Sequence, residues 1–96
     1  MKVVITGGCG YIGSKIVNRL KDNNNEVIIF DNFSTSINQF DKDGEIIECN
    51  VTDMDSLKKI EISGVDAVLH LAAQSSGPKS IKIPEKDINI NILGTL

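Results

Sequence analysis

Four short apolar runs punctuate the chain: Lys2 to Thr6, Glu26 to Phe30, Glu45 to Cys49 and Asp66 to Leu71, each reading as a β-strand. In the first two the apolar positions are near-continuous rather than alternating, as a parallel sheet covered on both faces requires. Between them, Tyr11 to about Lys21 predicts a helix with Ile12, Ile16, Val17 and Leu20 as its buried stripe, closed by the polar tract Asp22-Asn23-Asn24-Asn25. Strand, helix and strand make a βαβ unit. Asp31 to Asp43 is polar and reads as a loop or short helical piece. Further on, Thr52 or Asp53 caps a helix of about Met54 to Ile62 that Gly64 ends, and acids stand in its first turn. Ala72 to Ile83 reads as a small-residue loop with helical turns, and Pro84 opens a last helix running through Ile88, Ile92 and Leu93.

Alternating strands and helices predict an α/β fold: a doubly wound parallel sheet with right-handed crossovers and the order 3-2-1-4 for the strands present. The order reverses between strands one and four. Ligands of such sheets bind beyond the carboxyl ends of the strands at that point, so Thr6-Gly7 and Leu71-Ala72-Ala73 are expected to meet at one crevice.

The turn after the first strand carries the most specific chemistry. In Thr6-Gly7-Gly8-Cys9-Gly10-Tyr11-Ile12-Gly13, residues 8, 10 and 13 fit G-x-G-x-x-G, and 7, 10 and 13 fit the related G-x-x-G-x-x-G. Glycines at a strand-to-helix junction let the main chain approach a phosphate closely, and the helix start offers unpaired N–H groups to an anion. A mononucleotide P-loop is excluded, because Ser14-Lys15 inverts the Lys-then-hydroxyl order that motif needs. Tyr11 and Lys15 formally match a Tyr-x-x-x-Lys pair, but inside the phosphate turn that match is coincidental. Asp31 ends the second strand eighteen positions after Gly13, where a carboxylate accepts hydrogen bonds from both hydroxyls of an adenosine ribose. A 2′-phosphate there would meet like charge costing on the order of 1–4 kcal/mol at ~4 Å. No Lys or Arg between Asp31 and Asp41 relieves it, so NAD rather than NADP is the expected cofactor.

Composition narrows the field further. The 96 residues suit one domain, net charge is −3 and Arg19 is the only arginine, which argues against a nucleic-acid partner. No apolar run approaches the ~20 residues of a membrane span, and Met1-Lys2 leads into a strand rather than a signal peptide, so no membrane partner and a cytoplasmic address are expected. Cys9 and Cys49 have no metal-ligand spacing and read as small packed residues; no metal site is expected. His70 closes an apolar strand and reads as a hydrogen-bonding structural residue, not a base.

The glycine turn, Asp31-Asn32-Phe33-Ser34-Thr35 and His70-Leu71-Ala72-Ala73-Gln74 together resemble the NAD-dependent epimerase/dehydratase family of extended short-chain dehydrogenases, Rossmann-like proteins, and its UDP-glucose 4-epimerases most closely. Asn91-Ile92-Leu93-Gly94-Thr95 is similar to the family's Asn-x-x-Gly-Thr helix, so the resemblance spans essentially the whole chain. It implies that the backbone at Tyr11 and Ile12 holds the pyrophosphate, with Gly7 and Gly10 permitting its approach. It also implies that Asp31 binds the ribose, that Asn32, Phe33, Ser34, Thr35 and Ser36 line the adenosine, and that Leu71, Ala72 and Ala73 pass beneath the cofactor. Asn91 is expected to reach toward ribose or phosphate. Asn50-Val51 occupies the adenine-edge position, where relatives usually carry Asp before an apolar residue. Ser36 stands where glycine is frequent, and Ser75 where some epimerases place lysine.

Family members are longer and carry a Ser/Thr and a Tyr-x-x-x-Lys pair further along. Residues 1–96 are therefore expected to be the NAD-binding portion of a sugar-nucleotide enzyme, with the catalytic and substrate-binding parts outside them and no catalytic residue among them. By that resemblance the longer enzyme would act on a nucleotide-sugar substrate as a homodimer, oxidising a sugar carbon transiently by hydride transfer to NAD, with UDP-glucose/galactose 4-epimerisation first and 4,6-dehydration or decarboxylation as alternatives. The alternative from another class is a stand-alone NAD-binding or interaction module without catalysis. Asp53, Asp55, Glu85 and Asp87 read as helix-terminal charges. An uncovered sheet edge and an apolar face carrying Ile88, Ile92 and Leu96 are expected to make residues 1–96 associate.

Overall fold

The computed structural model describes residues 1–34, 45–74 and 77–96. Strands β1 (Lys2–Thr6), β2 (Glu26–Asp31), β3 (Glu45–Glu48) and β4 (Ala67–His70) form one parallel sheet in the order β3-β2-β1-β4. This is the doubly wound arrangement that the alternation of strands and helices predicts. Register places Thr6 between Phe30 of β2 and His70 of β4, so three strand ends lie side by side. The loops opening from those ends therefore converge.

Adjacent residues of β1 and β2 face opposite layers. Val3, Ile5, Val27 and Ile29 pack with Cys9 and Val17 on one side, while Val4, Ile28 and Phe30 pack with Cys49 on the other. Helix α1 (Tyr11–Asp22) covers the first layer through Val17, with Ile16 and Leu20 beside it. Ile12 departs from the expected stripe: it is 63% exposed, because Gly13 and Ser14 occupy the buried positions of the first turn. A glycine there is required by space, since a Cβ on Gly13 would stand 2.3 Å from the Gly7 carbonyl oxygen.

The second layer is covered by α2 (Met54–Lys58) and the segment after it. Asp53 caps α2, accepting from the Ser56 amide and, at 2.7 Å, from its hydroxyl. Those bonds, the hydroxyl first, hold the Asp53 carboxyl below the usual carboxylate range. The helix stops at Lys58 instead of running to Ile62. β-Branched Ile60 and Ile62 instead pack against the sheet with Leu57 and Val65, and that burial outweighs their weak helix propensity.

Helix α3 (Gly77–Lys82) lies within the stretch expected to be a loop with helical turns, and α4 (Pro84–Ile88) passes directly into a wide π-helical segment, Asn89–Leu93. β4 is an edge strand with Val68 60% exposed, and Ile88 and Ile92 are exposed on the last helix, with Leu96 exposed just beyond it. No described helix is long and apolar enough to cross a membrane. Such apolar edges associate. Sedimentation of the chain at tens of micromolar is expected to show self-association, and a compact, cooperative monomer would contradict that expectation.

Candidate functional site

β1 ends in a turn that glycine makes possible. Gly7 has φ +71°, a left-handed conformation, and a Cβ on it would come within 2.9 Å of the Ala72 amide nitrogen. Its N–H donates to the Phe30 carbonyl at 2.7 Å, extending the β1–β2 ladder, and its carbonyl accepts from Gly10 at 3.1 Å. The turn delivers the chain to Gly10, the N-cap of α1, whose extended backbone makes no side-chain cap bond. The amides of Tyr11 and Ile12 open the helix with no carbonyl four residues back to take them. That is the electrostatic setting an anion needs.

Thr6 joins the turn to the exit of β4. Its Oγ1 accepts from the amides of Leu71 at 3.0 Å and Ala72 at 3.1 Å, so its own proton goes to His70 Nδ1, 2.7 Å away. That donation leaves Nε2 as the protonated ring nitrogen, which donates to Thr95 Oγ1 at 3.1 Å; Thr95 in turn donates to the Asn91 carbonyl. His70 is thus a structural link between strand and last helix, as its place in the sequence implies.

Asp31 closes the other side. One carboxylate oxygen accepts from the Cys9 amide at 2.9 Å and the other from the Phe33 amide at 2.8 Å, tying the glycine turn to the end of β2. Each oxygen keeps acceptor capacity for a ligand hydroxyl. Phe33 sits at φ +60°, a conformation costing a non-glycine residue roughly 1–2 kcal/mol, and the Asp31 carboxylate holds it there. The Cys9 and Cys49 thiols are pushed above their ordinary range, by burial first and by the Asp31 charge second.

These elements enclose a crevice of about 410 Å³. Of the expected cofactor-binding residues, Gly7, Gly10, Tyr11, Ile12, Asp31, Asn32, Ser34, Asn50, Val51, Leu71, Ala72 and Ala73 line it. The exposure of Ile12 follows from this: the residue belongs to the crevice, not to the core. Phe33 and Asn91 do not line the crevice, and the Asn91 carboxamide is bonded to Gln74 and Asp87 instead. Thr35, Ser36 and Ser75 lie outside the described residues. Gly13, Phe30, Cys49 and Ile90 line the crevice without having been singled out as cofactor contacts. Phe30 and Cys49 adjoin Asp31 and Asn50 and were legible by that adjacency, whereas Ile90 enters only through the wide turn of the last helix.

A Cβ on Gly10 would meet only the Gly7 oxygen, at 3.3 Å, among nearby described atoms, so the space over the helix start is open to a ligand. A turn without side chains, a helix start and a carboxylate at the next strand end fit a dinucleotide laid across the crevice. A second hollow, about 440 Å³, is lined by Val4, Phe30, Leu57, Ile62 and Val65 of the second core layer together with the exposed Val68 and His70 of β4. Among the described residues no cluster of His, Cys, Asp and Glu could hold a metal ion.

The amino-acid sequence matches the NAD dependent epimerase/dehydratase family over residues 3–96. The chain belongs to that family. It is 40% identical over 95 residues to a putative UDP-glucose 4-epimerase of Methanocaldococcus jannaschii, covering 98% of this chain and 31% of that protein. The crystal structure of UDP-glucose 4-epimerase from Thermotoga maritima with UDP-glucose superposes with a TM-score of 0.91 at 33% identity, over 99% of this chain and 31% of that one. The Thermus thermophilus UDP-glucose 4-epimerase complex with NAD gives a TM-score of 0.85 at 31% identity, over 98% of this chain and 31% of that one. Other sugar-nucleotide activities match as well: the dTDP-glucose 4,6-dehydratase of Salmonella typhimurium is 34% identical over 104 residues, 99% of this chain and 29% of that protein. Decarboxylases of UDP-glucuronic acid are also among the relatives. The chain spans about 30% of the length of the curated epimerases it matches.

Gly10→Ala should leave stability within ~1 kcal/mol, since the site is an extended N-cap, yet weaken ADP binding about tenfold; unchanged ADP affinity would show that the diphosphate lies elsewhere. The raised thiols give a pH dependence whose sign is fixed. A folded-state value above the unfolded ~8.5 means stability fully present below that pH and declining as pH rises through the folded values. Urea denaturation between pH 8 and 10 should show that decline, and a Cys9→Ala/Cys49→Ala double variant should show less of it. An equal decline in both would assign the effect to other groups.

Proposed function

We propose that residues 1–96 are the dinucleotide-binding portion of a sugar-nucleotide epimerase or dehydratase, and that the cofactor held is NAD. The observation that carries this reading is the conjunction of the side-chain-free turn, the helix start and the Asp31 carboxylate in one crevice. The amides of Tyr11 and Ile12 would face the diphosphate. Asp31 would take the adenosine ribose hydroxyls, and Asn32, Ser34, Asn50 and Val51 would flank the adenine. Leu71, Ala72 and Ala73 would floor the nicotinamide half, since β4 lies on the far side of β1 from β2 and β3.

Bound there, NAD supplies a hydride acceptor and donor for a sugar carbon. This chain's residues bind and orient it and close the floor beneath it. The acid/base work on the sugar hydroxyl belongs to residues outside the chain. UDP-glucose/UDP-galactose 4-epimerisation is the favoured reaction of the longer protein, supported by the relatives named for it; dehydration or decarboxylation of a related sugar nucleotide is the second reading, supported by relatives of similar identity. The longer enzyme is proposed to work as a homodimer in the cytoplasm.

Titration calorimetry with NAD and NADP tests the cofactor directly. NAD should bind at least about tenfold more tightly, because the Asp31 carboxylate opposes a 2′-phosphate. Asp31→Ala should weaken NAD binding by ~1–3 kcal/mol through loss of charge-assisted hydrogen bonds. Equal affinities for the two dinucleotides, or an Asp31→Ala variant that binds NAD like the parent, would remove the ribose assignment. With NAD and UDP-galactose present, the 96-residue chain alone should show no turnover; turnover would place catalytic groups within it.

A further inference from the structure

Asn91 is bound to Gln74, the residue after the crevice-lining Leu71–Ala73, without lining the crevice itself. Its Oδ1 accepts from the Gln74 amide at 2.7 Å and its Nδ2 donates to the Gln74 carbonyl at 2.9 Å. One carboxamide thus takes both backbone groups of one residue, the pair of bonds that facing residues of two antiparallel strands exchange. Nδ2 also donates to Asp87 Oδ1 at 3.1 Å, and the Gln74 side chain donates to the same oxygen at 2.9 Å. Asp87 and Asn91 are four residues apart, one above the other on the last helix.

Gln74 directly follows Leu71–Ala73. The near end of that stretch is held by Thr6 Oγ1 on the amides of residues 71 and 72, and the far end by Asn91. The wide π-helical turn at Asn89–Leu93 carries Asn91 on its Gln74 contact while Ile90 lines the crevice. Such turns recur at functional sites. Asparagine is the residue this geometry needs. Aspartate at the same place would offer the Gln74 carbonyl a second acceptor and bring a like charge to Asp87.

We propose that Asn91 is a positioning residue for the cofactor: it fixes the height of the Leu71–Gln74 floor under the nicotinamide half of NAD without touching the dinucleotide. This rests on the functional reading above, and it assigns Asn91 a different task from direct contact with ribose or phosphate.

The test uses the full 96-residue chain and three variants, Asn91→Ala, Asn91→Asp and Asp31→Ala, titrated with NAD and with AMP, which carries only the adenosine half. Asn91→Ala should weaken NAD about tenfold and leave AMP within about twofold, whereas Asp31→Ala should weaken both. Without ligand, the Gln74 amide should exchange hydrogen about tenfold faster in Asn91→Ala than in the parent. Equal losses for NAD and AMP would mark a general structural role and overturn the proposal, as would unchanged NAD affinity or unchanged Gln74 exchange. Should Asn91→Ala fail to fold, Asn91→Asp, which keeps the acceptor for the Gln74 amide but loses the donor to the Gln74 carbonyl, is read by the titrations alone: NAD weakened with AMP unchanged supports the proposal, and equal losses or unchanged NAD affinity overturn it. If the parent binds neither nucleotide, the functional reading fails and the cofactor part of this proposal with it, while Gln74 exchange still decides whether Asn91 holds the floor.

Discussion

The structure depends on a close approach at the end of β1. Gly7 turns left-handed between two neighbouring strand ends, with its N–H on Phe30 of β2 and the place a Cβ would take crowded by the Ala72 amide that follows β4. A side chain at that point would push the β4 exit away and remove the hydrogen bonds through which Thr6 holds it. Helix α1 then starts over the junction because Gly13 lets it sit almost on the Gly7 carbonyl. Sheet, helix start and crevice floor are therefore consequences of one crowded turn.

Charge is organised around the same turn. Asp31 uses one oxygen on the Cys9 amide and one on the Phe33 amide, so the carboxylate that would read a ribose also fastens the turn to β2. Its field reaches thiols in both core layers, Cys9 on one side of the sheet and Cys49 on the other. Across β1, the Thr6–His70–Thr95 chain of hydrogen bonds performs the corresponding fastening. An anion laid over the Tyr11 and Ile12 amides would lie between these two fixed walls. This pre-organisation limits what binding must spend on ordering the protein.

Strands and topology were legible in the sequence because buried parallel strands leave near-continuous apolar runs and because only a few connections of such strands are allowed. The crevice was legible from the glycine spacing and from Asp31, both short-range signals. What escaped was tertiary. Ile12 fits the helical stripe by period, yet a first-turn residue beside a glycine junction faces the crevice. Ile60 and Ile62 fit a longer α2, yet the sheet claims them. Asn91 carries no sequence sign that its partner is the backbone of Gln74, seventeen residues away, since that contact exists only once the last helix has docked and widened. Family membership follows from the match over residues 3–96, but the reaction does not, because relatives with different chemistries share this portion.

On the proposed function, a diphosphate would rest on the main chain where β1 gives way to α1. Amide chemical-shift mapping of the isotopically labelled chain with NAD reads that contact most directly. The largest shifts are predicted at Gly10, Tyr11 and Ile12, with a second group at Asn32, Asn50 and Ala72. Shifts confined to the apolar hollow around Leu57 and Val68, or an undisturbed Tyr11–Ile12 pair at saturating NAD, would contradict it.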